Sequence, residues 1–379
     1  MLQRLYIHNY RSFQNFELKV GDAHSSLLIG KNGAGKSSIA RVLRIFQAIG
    51  RGDNRLKDLV NPREFFGGGS ATPMRIEIET LVQGHSFRYA LALELPERFK
   101  ELRVMEERLE RDGEPIYLRE QAQVSLRRQD ALPSADARFL VDWHLVALSI
   151  IQEHSTSDPI YIFKAWLARM VILAPVPDRM QSDSGDKTLW PETSAGNLAD
   201  WLAGVLSQYP AAYSTISEYL LQVMPDLQDF LYEDLGQESR RLIVRFGLKG
   251  QGTLPLAFDQ LSDGEKCFFL CSVIVAANRF YGPLLCFWDE PDNYLSLSEV
   301  SHFVMTLRRA FEGQGQILMT SHNEESIRRF SDENTWVIGR GSHMEPSQIR
   351  LLGELRERGE RGESPPDVIQ SLLLGEIQS

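Results

Sequence analysis

The chain is poor in cysteine, with only three in 379 residues, and they form no Cys-x-x-Cys pair. This excludes a disulfide framework, makes a zinc site unexpected and suits a reducing cytosol. The N-terminus lacks the apolar core of a signal peptide, and no run reaches the roughly 18 apolar residues of a membrane span. We therefore expect a cytoplasmic protein without a membrane segment. At about 150 residues per domain, the length predicts two or three lobes.

An excess of positive charge is also missing, because 51 acidic residues outnumber 41 basic ones and give a formal charge of −10. A body of this charge has no overall attraction for phosphate, so any contact with nucleic acid needs a local basic patch. Three stretches are rich in arginine (103–111, 119–128 and 350–361), but glutamate interleaves each of them. We interpret them as solvated helix faces rather than phosphate-binding surfaces.

The first part of the chain has the periodicity of an α/β protein. Apolar and polar residues alternate along 2–20, which predicts two short strands. The apolar run 26–29 ends in a glycine-rich turn, and 37–49 then has helical spacing, so the order is strand, loop, helix. Residues 75–95 are typical of a β-hairpin.

The remainder of the chain divides by composition. We predict an N-terminal lobe over 1–95 and a mainly helical insertion, broken by prolines, over 96–254. Strand and helix patterns return in a C-terminal lobe over 255–340. A charged tail over 341–379 follows.

Residues 30–37 read Gly-Lys-Asn-Gly-Ala-Gly-Lys-Ser and match the pattern Gly-x-x-x-x-Gly-Lys-[Ser/Thr] in full. Glycines let the backbone wrap a β-phosphate with its N–H groups pointing inward, and the helix that begins there adds the positive end of its dipole. Lys36 would reach the β- and γ-phosphates, and the Ser37 hydroxyl can ligate Mg²⁺. The sequence predicts a nucleotide-binding loop.

Two acidic residues follow the apolar run 284–288. A buried parallel strand has this composition, and ligands of open α/β sheets gather at the carboxyl ends of strands. We expect Asp289 to support the Mg²⁺ ion and Glu290 to orient or deprotonate the attacking water. The next apolar run, 316–320, is followed by Ser-His, and His322 could hydrogen-bond a γ-phosphate or that water.

A further motif precedes the long apolar helix predicted over 267–280. Ser262 with Glu265 three residues later forms a capping box, which is a sufficient structural role. The functional interpretation is that this helix N-terminus is an anion site. Since the nucleotide-binding loop has a helix of its own, the second site would most simply serve a nucleotide held by another protomer.

In this order, the four motifs resemble the Walker A, signature, Walker B and switch-histidine motifs of the ABC ATPase superfamily. They lie at 30–37, 261–265, 288–291 and 320–322. The chain is more similar to the RecF, Rad50 and SMC branch than to transporter subunits, because 5–13 resembles that branch's opening strand and Arg-Ser-Phe turn. The run 289–295 is similar to the ATPase part of overcoming-lysogenisation-defect (OLD) proteins, as in AAA_21-type ATP-binding proteins.

The resemblance implies a P-loop ABC-type head: a mixed sheet with flanking helices, an N-terminal antiparallel β subdomain and a compact helical insertion. It implies ATP and Mg²⁺ as ligands, Glu290 as general base and His322 as γ-phosphate sensor. Ser37 and Asp289 would serve the metal, and Arg11 would lie near the nucleotide. The other implied nucleotide contacts are Gly30, Asn32, Gly33, Gly35, Lys36 and Ser38 in one protomer and Ser262, Gly264 and Glu265 from the other.

The chain departs from the family pattern at two places. The aspartate that closes the transporter D-loop is Ser296 here, and the histidine of many OLD-like relatives is missing there. A Q-loop glutamine has three candidates, Gln83, Gln121 and Gln152.

Long coiled-coil arms of the SMC and Rad50 kind are excluded, because prolines cut the insertion repeatedly and no heptad pattern persists over three repeats. We therefore expect a compact helical lobe that is more similar to that of RecF. The residues after His322 are too few for the nuclease domain of OLD proteins, so a separate protein would have to supply any DNA cleavage.

The leading functional hypothesis is an ATPase that forms a homodimer around ATP and acts as a switch on DNA or on a partner effector, in DNA repair or anti-phage defence. A nucleotide-gated scaffold with little hydrolysis is the main alternative. A transporter's nucleotide-binding subunit is less favoured, since the long insertion and the Arg-Ser-Phe opening argue against it.

Overall fold

The computed structural model describes residues 1–66, 72–97, 99–127, 137–236, 239–247 and 252–359. The chain divides into two compact units. The first consists of Met1–Ala23, Leu28–Met170 and Asp332–Ser379, and the second of His24–Leu27 and Val171–Ser331.

Strands and helices alternate along much of the chain and are numbered from the N-terminus. The strands are β1 (Leu2–His8), β2 (Phe16–Lys19), β3 (Ser25–Ile29), β4 (Met74–Val82), β5 (His85–Glu94), β6 (Arg103–Arg111), β7 (Glu114–Glu120), β8 (Gln123–Leu126), β9 (Ala137–Leu140), β10 (Val171–Leu173), β11 (Asp183–Ser184), β12 (Leu227–Asp234), β13 (Arg240–Phe246), β14 (Leu254–Ala257), β15 (Leu285–Trp288), β16 (Gln316–Thr320), β17 (Thr335–Gly339) and β18 (Gln348–Leu351). The α-helices are α1 (Lys36–Gly50), α2 (Leu56–Leu59), α3 (Pro159–Ala168), α4 (Leu198–Gln208), α5 (Ala212–Val223), α6 (Asp263–Phe280), α7 (Leu297–Phe311), α8 (Glu324–Arg328) and α9 (Leu352–Gly359).

The first unit is built on an antiparallel sheet of eight strands in the order β2-β1-β4-β5-β6-β7-β8-β9. Strand β5 shows why the sheet has one buried face, since Phe87, Tyr89 and Leu91 recur at period two and have no exposed surface. Helices α1 and α3 cover this face, with Phe46 of α1 and Phe163 of α3 in ring contact with Tyr89. This sheet is the predicted N-terminal antiparallel β subdomain, although it has more strands than expected.

The extra strands lie in 96–254, which the sequence predicted to be mainly helical. This range contains strands β6 to β13 as well as helices α3 to α5, so the helical prediction has to be corrected. The inward positions of β6 are Val104, Glu107 and Leu109. A register shift against β5 and a buried acid replace the simple alternation of apolar residues that marks a strand.

Two of the three arginine-rich stretches also differ from the solvated helix faces that were predicted. The stretch 103–111 is strand β6, and acids on neighbouring positions compensate its charge, as Glu94 does for Arg103 at 2.7 Å. In 119–128, Arg119 is completely buried. The stretch 350–361 begins in β18 but continues as helix α9 over Leu352–Gly359, so the predicted helix is present there; its last two residues lie outside the described part of the chain.

The second unit contains a parallel sheet and a smaller antiparallel one. Strand β15 pairs in parallel with both β10 and β16, and the order in this unit is β10-β15-β16-β3. Strand β13 lies between β11 and β12 and also pairs with β14. Helix α6 is apolar around most of its circumference and is correspondingly buried, between α5 and α7.

In the first unit, β17 and β18 pair with each other in antiparallel fashion. The predicted mixed α/β class is confirmed. No described helix combines the length and the hydropathy that a bilayer crossing demands.

Candidate nucleotide-binding site

The glycine-rich loop follows β3 and ends where α1 begins, as the sequence predicts. Gly30, Gly33 and Gly35 have φ values of 152°, 81° and 118°, which side chains of L-residues rarely adopt. A Cβ atom on Gly30 would lie 2.0 Å from the carbonyl oxygen of Ile338, and one on Gly35 would lie 2.8 Å from Phe13 Cζ. Only a bare backbone fits at these two positions.

The lysine of the loop is folded back over it. Lys36 Nζ donates to the carbonyl oxygen of Gly30 at 2.6 Å, and the residue is only 6% exposed. Asn32, Gly33 and Ser37 are exposed. The loop thus holds its cationic group at the first turn of α1, the arrangement that a β- or γ-phosphate requires.

Ser347, which the sequence did not indicate, links this loop to the Arg-Ser-Phe turn in the first unit. Ser347 Oγ donates to the carbonyl oxygen of Ala34 at 2.5 Å, and Ser347 N donates to the carbonyl oxygen of Ser12 at 2.7 Å. Ser347 lies just before β18 and is 3% exposed. Its distance along the chain from the loop explains why no local pattern pointed to it.

Arg11 lies at the first turn of α1, as the family resemblance suggested for a residue near the nucleotide. Its guanidinium donates to Ser38 Oγ at 3.4 Å and lies 3.5 Å from Glu64 Oε1. Its backbone is in the left-handed region, with φ at 54°, and its N–H donates to the carbonyl oxygen of Glu64. Burial and the neighbouring Arg41 guanidinium lower the pKa of Arg44 on the same helix.

The two acids predicted to act in hydrolysis follow β15 in the second unit. Thr320, at the end of the adjacent strand β16, donates its hydroxyl hydrogen to Asp289 Oδ1 at 2.6 Å. The same hydroxyl accepts the backbone N–H of Glu290 at 2.9 Å. Thr320 has no exposed surface and so links both acids to the neighbouring strand.

The Glu290 carboxylate is held from both sides. His322 Nε2 lies 3.1 Å from its Oε1, and Asn293 Nδ2 donates to its Oε2 at 2.6 Å. The backbone of Glu290 has φ at 51°, a conformation that is costly for a residue other than glycine and often marks a functional turn. The structure therefore brings the two predicted residues, Glu290 and His322, together, and it adds Asn293 and Thr320.

The signature motif begins helix α6 in the second unit. Ser262 Oγ accepts the N–H of Glu265, and Glu265 Oε2 accepts the N–H of Ser262 at 2.8 Å, which confirms the predicted capping box. Ser262 is exposed. A Cβ on Gly264 would lie 3.2 Å from the carbonyl oxygen of Tyr294, so the signature turn abuts the loop after β15.

The structure gives the positions of the three candidate Q-loop glutamines and of Ser296. Gln83 and Gln121 lie in the hairpin turns β4–β5 and β7–β8, and Gln152 is exposed. Ser296, which replaces the expected aspartate, caps helix α7, where its N–H donates to Glu299 Oε2 at 2.9 Å.

Within the described residues, no cluster of three or more His, Cys, Asp or Glu side chains is arranged to hold a metal. Magnesium in nucleotide sites takes one or two protein oxygens and fills its other positions with water and phosphate. The donor types at Ser37 and Asp289, a hydroxyl and a carboxylate, fit that requirement.

Comparisons with known proteins give the family. The profile described as "AAA domain, putative AbiEii toxin, Type IV TA system" (AAA_21) matches residues 25–328, most of the chain. The chain therefore belongs to this family. Among curated proteins, 128 residues are 25% identical to the chromosome partition protein Smc of Chlorobaculum tepidum. That match covers 32% of the chain and only 11% of this relative's length.

Solved structures agree on the fold. A crystal structure of the Smc head bound to the C-winged helix domain of ScpA matches over 94% of the chain and 99% of its own length, at 12% identity with a TM-score of 0.58. An Smc head with an extended coiled coil, bound to the C-terminal domain of ScpA from Pyrococcus furiosus, matches over 95% and 98% at 11% identity, with a TM-score of 0.52. These likenesses show that the chain has the fold of an SMC head, an ABC-type P-loop architecture.

Proposed function

We propose that the protein binds ATP with Mg²⁺, hydrolyses it, and uses the ATP-bound homodimer as a switch. The observation that carries the hydrolytic part is the Glu290 carboxylate, which His322 and Asn293 hold in one orientation at the end of β15. A carboxylate fixed in this way can accept a proton from water without first having to reorganise, and this favours a general base over an ordinary surface acid.

The glycine-rich loop supports the binding half of the proposal. Its backbone N–H groups and Lys36 would bind the β- and γ-phosphates, and Arg11 would neutralise charge at the same turn of α1. Mg²⁺, bound through Ser37 and supported by Asp289, would neutralise charge that develops on the phosphates. Ser262 and Gly264 would contact the nucleotide of a second protomer, and this is why we propose a homodimer.

The output of the switch is proposed to be a partner effector or DNA. The family description names a toxin–antitoxin system, and the similar Smc heads are described as bound to domains of ScpA, a separate protein. Both descriptions support control of another macromolecule; that it serves DNA repair or anti-phage defence is part of the proposal. A separate nuclease remains a candidate effector.

The test compares the wild-type protein with Glu290→Gln and with Glu312→Gln, an exposed acid of the same unit. Gln keeps the shape of the side chain but cannot accept the proton, so phosphate release should fall at least about 100-fold while ATP binding persists. Size-exclusion chromatography with ATP should then show a trapped dimer for Glu290→Gln alone. Unchanged phosphate release in Glu290→Gln would refute the assignment.

The nucleotide-gated scaffold is the second candidate, and the exposed capping box of the signature motif is as compatible with it as with hydrolysis. It predicts ATP-dependent dimers in the wild-type protein with little phosphate release, whether or not DNA is added. Measuring phosphate release with and without DNA separates the two functions.

A further inference from the structure

A buried carboxylate lies two residues after the proposed general base. Asp292 is 4% exposed, and its Oδ2 accepts hydrogen bonds from Ser321 Oγ at 2.5 Å and from Ser326 Oγ. A buried acid is costly unless its oxygens are hydrogen-bonded, and hydroxyl donors to an ionised carboxylate form short and strong bonds. Asp292 therefore links the turn after β15 to the segment that contains Ser321 and Ser326.

Both serines belong to the segment 321–326, which carries His322. Ser321 directly precedes the histidine and is 1% exposed, and Ser326 lies in α8 and is 2% exposed. Ser321 Oγ also accepts the backbone N–H of Asn323 at 2.8 Å. The hydroxyl of Ser321, which precedes His322, is thus bonded both to the backbone N–H of Asn323, which follows His322, and to Asp292.

We propose that Asp292 is a positioning residue for the hydrolytic site. By holding the segment 321–326 against the turn that contains Glu290, it fixes the 3.1 Å contact between His322 Nε2 and Glu290 Oε1. Asp292 acts through these bonds and not on the substrate itself. The inference rests on the proposed function, because only a hydrolytic site gives the His322–Glu290 contact a measurable role.

The alternative is that the two serine hydroxyls merely stabilise the fold. Ser326→Ala and Ser272→Ala separate the two interpretations, because each deletes a buried serine hydroxyl from a helix of the second unit. Ser272 lies in α6, has no exposed surface and donates to the carbonyl oxygen of Phe269 at 2.7 Å. A stability effect should appear in both variants, whereas a positioning effect should appear only in Ser326→Ala.

For Ser326→Ala we expect kcat to fall about ten-fold while KM for ATP stays within about two-fold, because the phosphate-binding loop is untouched. Ser272→Ala should keep both parameters. Equilibrium unfolding of both variants checks that their losses of stability are comparable. Asp292→Asn keeps an acceptor oxygen but loses the charge, so its kcat should lie between those of Ser326→Ala and the wild type.

A double-mutant cycle with His322→Ala tests the route of the effect. If Asp292 acts by placing His322, Ser326→Ala should change kcat by less than about two-fold in the His322→Ala background. Fully additive losses, or a Ser326→Ala variant with the kcat of Ser272→Ala, would overturn the inference.

These outcomes are distinguishable from a failure of the proposed function. If Glu290→Gln hydrolyses ATP like the wild type, the proposed function is wrong and the positioning role falls with it. If Glu290→Gln is inactive but Ser326→Ala matches Ser272→Ala, only the positioning role is wrong.

Discussion

The substitution Gly35→Ala tests whether the loop before α1 is the nucleotide-binding element, and Gly52→Ala is its matched control. Both glycines have a positive φ, 118° and 104°, so alanine meets a similar backbone cost at each. Their surroundings differ. A Cβ at Gly35 would lie 2.8 Å from Phe13 Cζ and 2.9 Å from Ser12 Oγ, whereas a Cβ at Gly52 would have nothing within 4 Å.

The magnitude follows from these contacts. Placing an L-residue at positive φ costs roughly 1–2 kcal/mol, and this applies to both variants. Crowding in a packed site adds about 1–3 kcal/mol, and this applies only at Gly35. Phe13 cannot retreat easily, since it has no exposed surface and packs on Phe16 with ring centroids 4.2 Å apart. The loop itself has to move, and its N–H groups with it.

We therefore expect Gly35→Ala to bind Mg²⁺-ATP about 10- to 100-fold more weakly than the wild type, and Gly52→Ala to bind it normally. Isothermal titration calorimetry measures the affinity, and urea unfolding should show about 2–5 kcal/mol lost in Gly35→Ala against about 1–2 kcal/mol in Gly52→Ala. Equal affinities in the two variants would refute the assignment of this loop to the phosphates.

Three further outcomes are expected. Thr320→Val removes the hydroxyl that links both acids of the second unit to β16, and kcat for ATP should fall about 10- to 100-fold in a steady-state assay. Glu107→Gln disrupts a completely buried carboxylate that accepts five hydrogen bonds, and urea unfolding should show about 3–5 kcal/mol lost. Burial would raise the pKa of Glu77, but Arg88 and Arg75 outweigh it and lower this pKa from 4.5 to about 2. Its stabilising contribution of about 3 kcal/mol is present above pH 4.5 and lost as the pH falls toward 2, so unfolding of Glu77→Gln should depend less on pH over that interval.

The first two of these have a matched control variant. Thr80→Val deletes a buried hydroxyl that has no hydrogen-bond partner in the described structure, and kcat should not change. Glu110→Gln lies on the same strand as Glu107 but in a partly exposed pair, and should cost less than about 1 kcal/mol. A Thr320→Val variant with normal kcat, a Glu107→Gln variant as stable as Glu110→Gln, or a Glu77→Gln variant with the wild-type pH profile would each contradict its prediction.

The sequence alone was sufficient to predict those features that are formed by residues close together in the chain. The loop before α1 is set by glycines that a Cβ would exclude, and the helix start at Ser262 is set by a capping box between residues three apart. Strands β15 and β16 are short, largely apolar runs that end in polar residues. In each case the residues that define the feature are neighbours in the chain, so a pattern read along it is informative.

Strands β6 and β7 escaped prediction because a buried charged residue interrupts the apolar inner face of each. Glu107 of β6 and Arg119 of β7 point inward, both completely buried, with nitrogen and oxygen 3.4 Å apart. Glu107 also accepts N–H groups of Ala147 and Leu148, so its charge is balanced by partners about 40 residues away. A run of alternating Arg and Glu looks like a solvated helix until those distant partners are known.

The same reasoning explains which part of the candidate site was foreseen. Glu290 and His322 were predicted because acids and a histidine directly follow apolar strands. Thr320, Asn293 and Asp292 were not, because their roles depend on hydrogen bonds that exist only once β15 and β16 lie side by side.

The bonds that hold these groups also bear on how hydrolysis can be controlled. Each member of the second-unit constellation is fixed by bonds within that unit: Asp289 by Thr320, and Glu290 by His322 and Asn293. A constellation fixed in this way would need little rearrangement before it acts. On the proposed function, control would then act on nucleotide binding and dimer formation, and an effector that changes phosphate release should do so mainly through the apparent affinity for ATP. An effector that raises kcat at saturating ATP without changing the fraction of dimer would show instead that the bonds around Glu290 rearrange during turnover.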